Sequence, residues 1–141
     1  MRVIQLVYSS VAATPFSAEA LRALLVRARA FNTTADVSGM LLHVDGTFLQ
    51  ILEGSAAVID TLFHRISADR RHKRVLLLLS QDLPERNFPD WSMGFFDASG
   101  RGAALPGYRQ NAGFADLLGD TAKIMRVLAD FRDGRWRSLA V

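Results

Sequence analysis

Asp45–Gly46 sits between two runs that read as strands, Ser38–Val44 and the segment ending at Gly54. A two-residue loop of this kind joins antiparallel neighbours whose twist matches the turn. Helical periodicity stands on both sides of this hairpin. Leu21, Leu24, Leu25 and Ala28 recur at i, i+3, i+4 and i+7 behind Ser17, a good N-cap. Arg27 and Arg29 then fall in the last turn, where they complement the helix dipole, and Asn32-Thr33-Thr34 breaks the pattern. Val58, Ile59, Leu62, Phe63 and Ile66 form a second stripe, capped by Gly54-Ser55. Arg2–Ser9 reads as a first strand, Lys73–Gln81 as a fourth that is apolar enough to lie centrally, and Trp91–Phe96 as a short fifth. The order β-α-β-β-α-β-β predicts an α+β, ferredoxin-like sandwich, with two helices on one face of a mixed sheet and a parallel pair at each βαβ crossover.

Beyond this unit, residues 98–141 read as a loop and a C-terminal helical extension, and residues 1–97 as the folded domain. A helix is expected from about Asp120 to Asp133, with Ile124, Leu128 and Phe131 on one stripe and Gly134 as a stop. A lone helix of that length is marginal in water, so it is expected to pack on the open sheet face or on another chain.

Composition narrows the function classes. The 141 residues are 50% hydrophobic and 22% charged, an ordinary globular balance rather than a disordered one. The longest apolar run, Val75–Leu79, falls far short of the roughly 18 residues of a membrane span. There is no cysteine, hence no disulfide frame, thiol nucleophile or cysteine metal site. The start shows no signal-peptide layout, and a cytoplasmic location is expected. A net charge of +3 is too small to argue for nucleic acid.

One strand carries an amide in an apolar setting. Alternation puts Phe48, Gln50 and Leu52 on one face, and Ile4, Leu6 and Tyr8 on one face of the first strand. A buried amide without partners costs roughly 2–7 kcal/mol, depending on the reference state. Tyr8 and Gln50 are therefore either a purposeful polar spot in the groove between helices and sheet or two satisfied core residues.

Several segments, in order, carry a resemblance. They are Leu6-Val7-Tyr8-Ser9-Ser10, Arg29-Ala30-Phe31-Asn32, Val37-Ser38-Gly39-Met40-Leu41-Leu42 and Phe48-Leu49-Gln50-Ile51-Leu52-Glu53-Gly54. His64-Arg65-Ile66-Ser67-Ala68-Asp69-Arg70-Arg71-His72 and Arg86-Asn87-Phe88-Pro89-Asp90-Trp91-Ser92-Met93 follow. Across Arg2–Phe96 the chain resembles the BLUF family of blue-light sensors that use flavin. The resemblance implies a flavin held non-covalently between the two helices. FAD is the usual form, with FMN or riboflavin as alternatives. It makes Tyr8 and Gln50 the photoactive pair, with electron and proton transfer from Tyr8 through Gln50 and a rearranged Gln50 hydrogen bond. The expected product is a small red shift that decays in the dark. It also places Asn32, Arg65 and Asp69 at the polar edge of the ring, Leu24 and Ile66 against its faces, and Trp91 and Met93 in a signal relay.

The residues alone leave simpler readings open. Asn32 could be a helix C-cap, and Arg65–Asp69 an i,i+4 surface pair, though with the basic residue first, the poorer order. Leu24 and Ile66 are core by periodicity, and Trp91 beside Met93 is compatible with packing. Two positions depart from the family pattern. Phe31 stands where many relatives have His or Asn, so one flavin hydrogen bond is missing or replaced by stacking. Ser38 stands where Thr is usual.

Other signals are weak. Gly100-Arg101-Gly102 begins a dinucleotide pattern that Leu105 breaks, and His43, His64 and His72 lack metal-ligand spacing. The basic tail around Arg132, Arg135, Trp136 and Arg137 reads as a solvated helix end. The expected function is a blue-light photoreceptor, not an enzyme, that signals to a downstream protein partner or through self-association. The 45 residues from Asp97 to Val141 are too few for a cyclase or phosphodiesterase. The alternative is a light-insensitive ferredoxin-like interaction or dimerisation module, and a flavin enzyme ranks last.

Overall fold

Asp45 and Gly46 both have positive φ, 48° and 83°, the conformation of a tight hairpin turn whose twist matches its strands. In this computed structural model, which describes residues 2–89, 92–99 and 114–132, that turn joins β2 (Ser38–Val44) to β3 (Thr47–Gly54). The remaining elements are β1 (Val3–Ala12), α1 (Ala18–Ala35), α2 (Ala56–Ala68), β4 (His72–Leu83), β5 (Gly94–Asp97) and α3 (Thr121–Arg132). Together they form the expected α+β ferredoxin-like sandwich, on a sheet of order β4-β1-β3-β2-β5. The crossover strands are not hydrogen-bonded neighbours, because β3 lies between β1 and β2, and β1 between β3 and β4. Neighbours are antiparallel except β2 and β5, which are parallel.

The sheet has two covered faces. Leu6, Tyr8, Phe48 and Leu52 pack with Leu21 and Leu25 of α1 and Ile59 of α2. Val7, Leu49 and Ile51 point the other way and pack with Ile124, Val127 and Leu128 of α3. The C-terminal helix thus caps the open sheet face, one of its two expected placements. Asp120 caps it, accepting from the Lys123 N–H at 2.9 Å.

Gly39 shows why β2 needs a glycine at its second position: a Cβ there would lie 2.0 Å from the Ile51 carbonyl oxygen, and that neighbour is backbone.

Three local expectations change. The fourth strand lies at the sheet's edge, not in its centre. Tyr8 faces Leu77 while Val7 faces Leu79, so Leu78 is the extra residue of a bulge, and Leu76, Leu78 and Leu79 all pack in the α3 cluster. Its apolar character reflects partial coverage by the α3 cluster, since Leu78 is buried while Leu77 is 42% exposed. Helix α1 runs through Asn32-Thr33-Thr34 to Ala35, and the Thr33 and Thr34 hydroxyls fold back onto the carbonyls of Arg29 and Ala30 within it. Its last turn contains no basic residue. The fifth strand starts at Gly94. Trp91, Gly134, Arg135, Trp136, Arg137 and most of the expected loop lie outside the described residues, as does the Phe131 side chain. Among the described residues no helix is long and apolar enough to cross a membrane.

Candidate functional site

Tyr8 and Gln50 are direct partners across the β1–β3 ladder. Alternation sends both side chains to the face covered by α1 and α2, where both are buried. The Tyr8 hydroxyl donates to Gln50 Oε1. Gln50 Nε2 donates to Met93 Sδ at 3.4 Å. The amide therefore bridges a phenol and the segment that enters β5.

These groups line a cavity of about 580 Å³ between the two helices and the sheet. Leu24, Asn32, Arg65, Ile66, Asp69 and Met93 line it as well, so every sequence-derived site residue within the described chain converges here. Such a volume falls in the range of roughly 300–1,000 Å³ usual for small-molecule sites.

Asn32 is 2% exposed and sits inside α1, not at its cap, which Asp36 provides in the left-handed conformation. Its Nδ2 donates to the Ser92 carbonyl at 2.6 Å. Its amide oxygen has no partner among the described residues. Gln50 Nε2 has a second N–H, and its first is spent on a weak sulfur acceptor. Unused amide capacity beside apolar walls such as Leu24, Leu25, Leu62 and Ile66 fits a flat aromatic ligand whose faces are apolar and whose edge alternates donors and acceptors, as a flavin's does.

The electrostatics favour a neutral phenol. Burial pushes the Tyr8 hydroxyl well above its usual value of 10.0, and the negative charge of Asp69 adds to the rise. Asp69 is held down to about 2, chiefly by hydrogen bonds from the Arg71 side chain. Arg71 engages both carboxylate oxygens, with Nε at 3.0 Å from each and Nη2 at 2.5 Å from Oδ2. The anticipated Arg65–Asp69 alternative is therefore not the pairing observed.

Because folding raises its pKa, Tyr8 contributes stability that is intact below the ordinary phenol value and is lost as pH rises through the folded value. With Tyr108→Phe removing the other tyrosine, no phenolate absorbance should develop near pH 10 while the protein stays folded. Phenolate growing in with an ordinary midpoint before unfolding would contradict this.

Sequence reasoning missed three contributors. Arg29 is not a dipole partner: its Nε donates to the Met93 carbonyl at 2.9 Å. Glu53 is fully buried and accepts from the backbone N–H groups of Asn87 and Phe88 and from Gln5 Nε2. Arg86 donates to the backbone carbonyls of Asp36 and Glu53 and to Ser38 Oγ. Glu53 was detectable by the argument that found Gln50, since an acid shares the apolar odd-numbered face with Leu49 and Ile51.

The family model described as "Sensors of blue-light using FAD", BLUF, matches residues 3–94. The chain is 37% identical over 89 residues to the photoactivated adenylate cyclase subunit beta of Euglena gracilis, covering 62% of this chain and 10% of that protein. It thus spans only about a tenth of the length of this cyclase relative. Among solved structures it is similar to the dark state of BlrB, a BLUF protein, with 28% identity and a TM-score of 0.73, covering 92% of this chain and 97% of that one. The BlsA ground state gives 29% identity and a TM-score of 0.75 over 92% and 87%.

Proposed function

The chain belongs to the BLUF family of blue-light sensors that use flavin, and we propose that Tyr8 and Gln50 are its photoactive pair and FAD its chromophore. The observation that carries this reading is the buried Gln50 amide between the Tyr8 hydroxyl and Met93 Sδ. A bound flavin supplies absorption of blue light and transient acceptance of an electron. The side chains supply the rest. Tyr8, kept protonated by burial, gives up its electron and its hydroxyl proton along the bond to Gln50 Oε1. Gln50 reorients, or changes tautomer, as the charge returns. Exchanging its oxygen and nitrogen would remove the donor from Met93 Sδ and present a new donor to the ligand edge. No net conversion occurs, so the output is a changed hydrogen-bond pattern.

Asn32, Arg65 and Asp69 hold the polar edge of the ring in this reading, and Leu24 and Ile66 pack its faces. The segment containing Trp91 and Met93 carries the change outward. It is tied to the pocket by Asn32 on the Ser92 carbonyl and Arg29 on the Met93 carbonyl. The sensor, residues 1–97 with the extension that follows, passes its state to a cytoplasmic protein partner or to a second copy.

An absorption spectrum taken in the dark and then under blue light tests the reading. The expected result is a flavin spectrum that shifts slightly to the red and recovers in the dark. A flavin spectrum that stays fixed or bleaches would leave a binding pocket without a switch. No flavin after reconstitution with FAD would favour the light-insensitive interaction module.

A further inference from the structure

Among the described residues, Arg65 is a cation without an acidic partner. Its natural helical partner, Asp69, lies four residues on, but Arg71 occupies both Asp69 oxygens. Among the described residues, no acid lies within salt-bridge distance of Arg65. Its contact is aromatic: the guanidinium carbon lies 5.4 Å from the centroid of the Phe31 ring. Phe31 comes from α1 and Arg65 from α2, and both line the cavity wall. A guanidinium attracted through its flat face keeps its N–H edge free to donate.

We propose that Phe31 is a positioning residue for ligand binding. It holds the Arg65 guanidinium at the cavity wall so that its N–H groups reach an oxygen of the bound flavin. The proposal rests on the flavin-binding reading and adds a role for the residue that departs from the family pattern. The acceptor chemistry is an electronegative oxygen, supplied by either a ring carbonyl or a phosphate.

The test is a double-mutant cycle in full-length protein, reconstituted separately with riboflavin, FMN and FAD, with affinity measured by flavin fluorescence quenching. Phe31→Leu should weaken binding roughly two- to five-fold, the factor of an exposed cation–π contact. Phe31→Trp should restore it. In an Arg65→Gln background, Phe31→Leu should have no further effect. A loss in Arg65→Gln that is equal for all three flavins assigns the acceptor to the ring. A loss confined to FMN and FAD assigns it to phosphate. Unchanged affinity in Phe31→Leu, or an undiminished penalty in the Arg65→Gln background, overturns the proposal. Wild-type protein that binds flavin and shifts under light while Phe31→Leu is silent overturns this inference alone. Wild-type protein that binds no flavin overturns the functional reading with it.

Discussion

Replacing Gln50 with leucine should give a protein that still binds flavin but whose spectrum does not respond to blue light. Leucine keeps the size and apolar packing of the position between Phe48 and Leu52, so the cavity wall survives. What disappears is the amide between Tyr8 and Met93. No other side chain is bonded to the Tyr8 hydroxyl among the described residues, so its proton has no relay left. The hydroxyl also becomes a buried donor without an acceptor, and the fold should lose roughly 1–3 kcal/mol. Two measurements separate these effects: the light-minus-dark difference spectrum should be flat, and the thermal midpoint should fall modestly. Tyr8→Phe should flatten the difference spectrum too, with a smaller stability loss because the unpaired hydroxyl goes with it. An intact red shift in Gln50→Leu would overturn the mechanism.

Much of this site was legible because it depends on parity. A strand period of two assigns Tyr8 and Gln50 to the helix-covered face, and a two-residue turn fixes which strands adjoin. The same logic failed for β4. Periodicity reports whether a face is covered, and α3 covers the back of the sheet as α1 and α2 cover the front, so an edge strand reads as a central one. Local propensity failed for α1, where Asn32 is held by its tertiary bond to the Ser92 carbonyl and the Thr33 and Thr34 hydroxyls fold back onto the preceding turn instead of ending the helix. Asp69 illustrates a third limit. It lies just past α2 with extended backbone, φ −71° and ψ 122°, so helical i,i+4 spacing no longer governs its partner. Arg71, two residues on, takes the carboxylate through both its backbone N–H and its guanidinium.

Removing the Glu53 carboxylate should be strongly destabilising although this residue does not line the pocket. Glu53 and Gln5 face each other across β1 and β3, and both are completely buried on the side of the sheet opposite Tyr8 and Gln50. Glu53 Oε1 accepts from Phe88 N–H at 2.7 Å, and Oε2 accepts from Asn87 N–H at 3.1 Å and Gln5 Nε2 at 2.8 Å. Gln5 Oε1 in turn accepts from Gln81 Nε2 at 2.7 Å. One carboxylate thus joins strands β1 and β3 to the segment that leads to Met93. In Glu53→Ala two backbone N–H groups and an amide lose their acceptor in the interior. At roughly 1–3 kcal/mol for each unsatisfied group, with part recovered by relaxation, the loss should be about 3–5 kcal/mol. That is a large share of the roughly 5–15 kcal/mol typical of a domain. Glu53→Gln keeps one oxygen acceptor and should lose less than half as much. Urea unfolding of both variants tests this, and the discriminating result is a loss in Glu53→Gln itself, which a cavity effect would not produce between residues as alike in volume as Glu and Gln. Equal stability in Glu53→Ala and wild type would mean that water or another group satisfies these donors, and would remove Glu53 as the pin of the segment. If the pin holds, folded Glu53→Gln protein should keep the size of its red shift, set at Gln50. It should recover in the dark at an altered rate, because the segment carrying Met93 is then secured mainly by Arg29, Asn32 and Arg86.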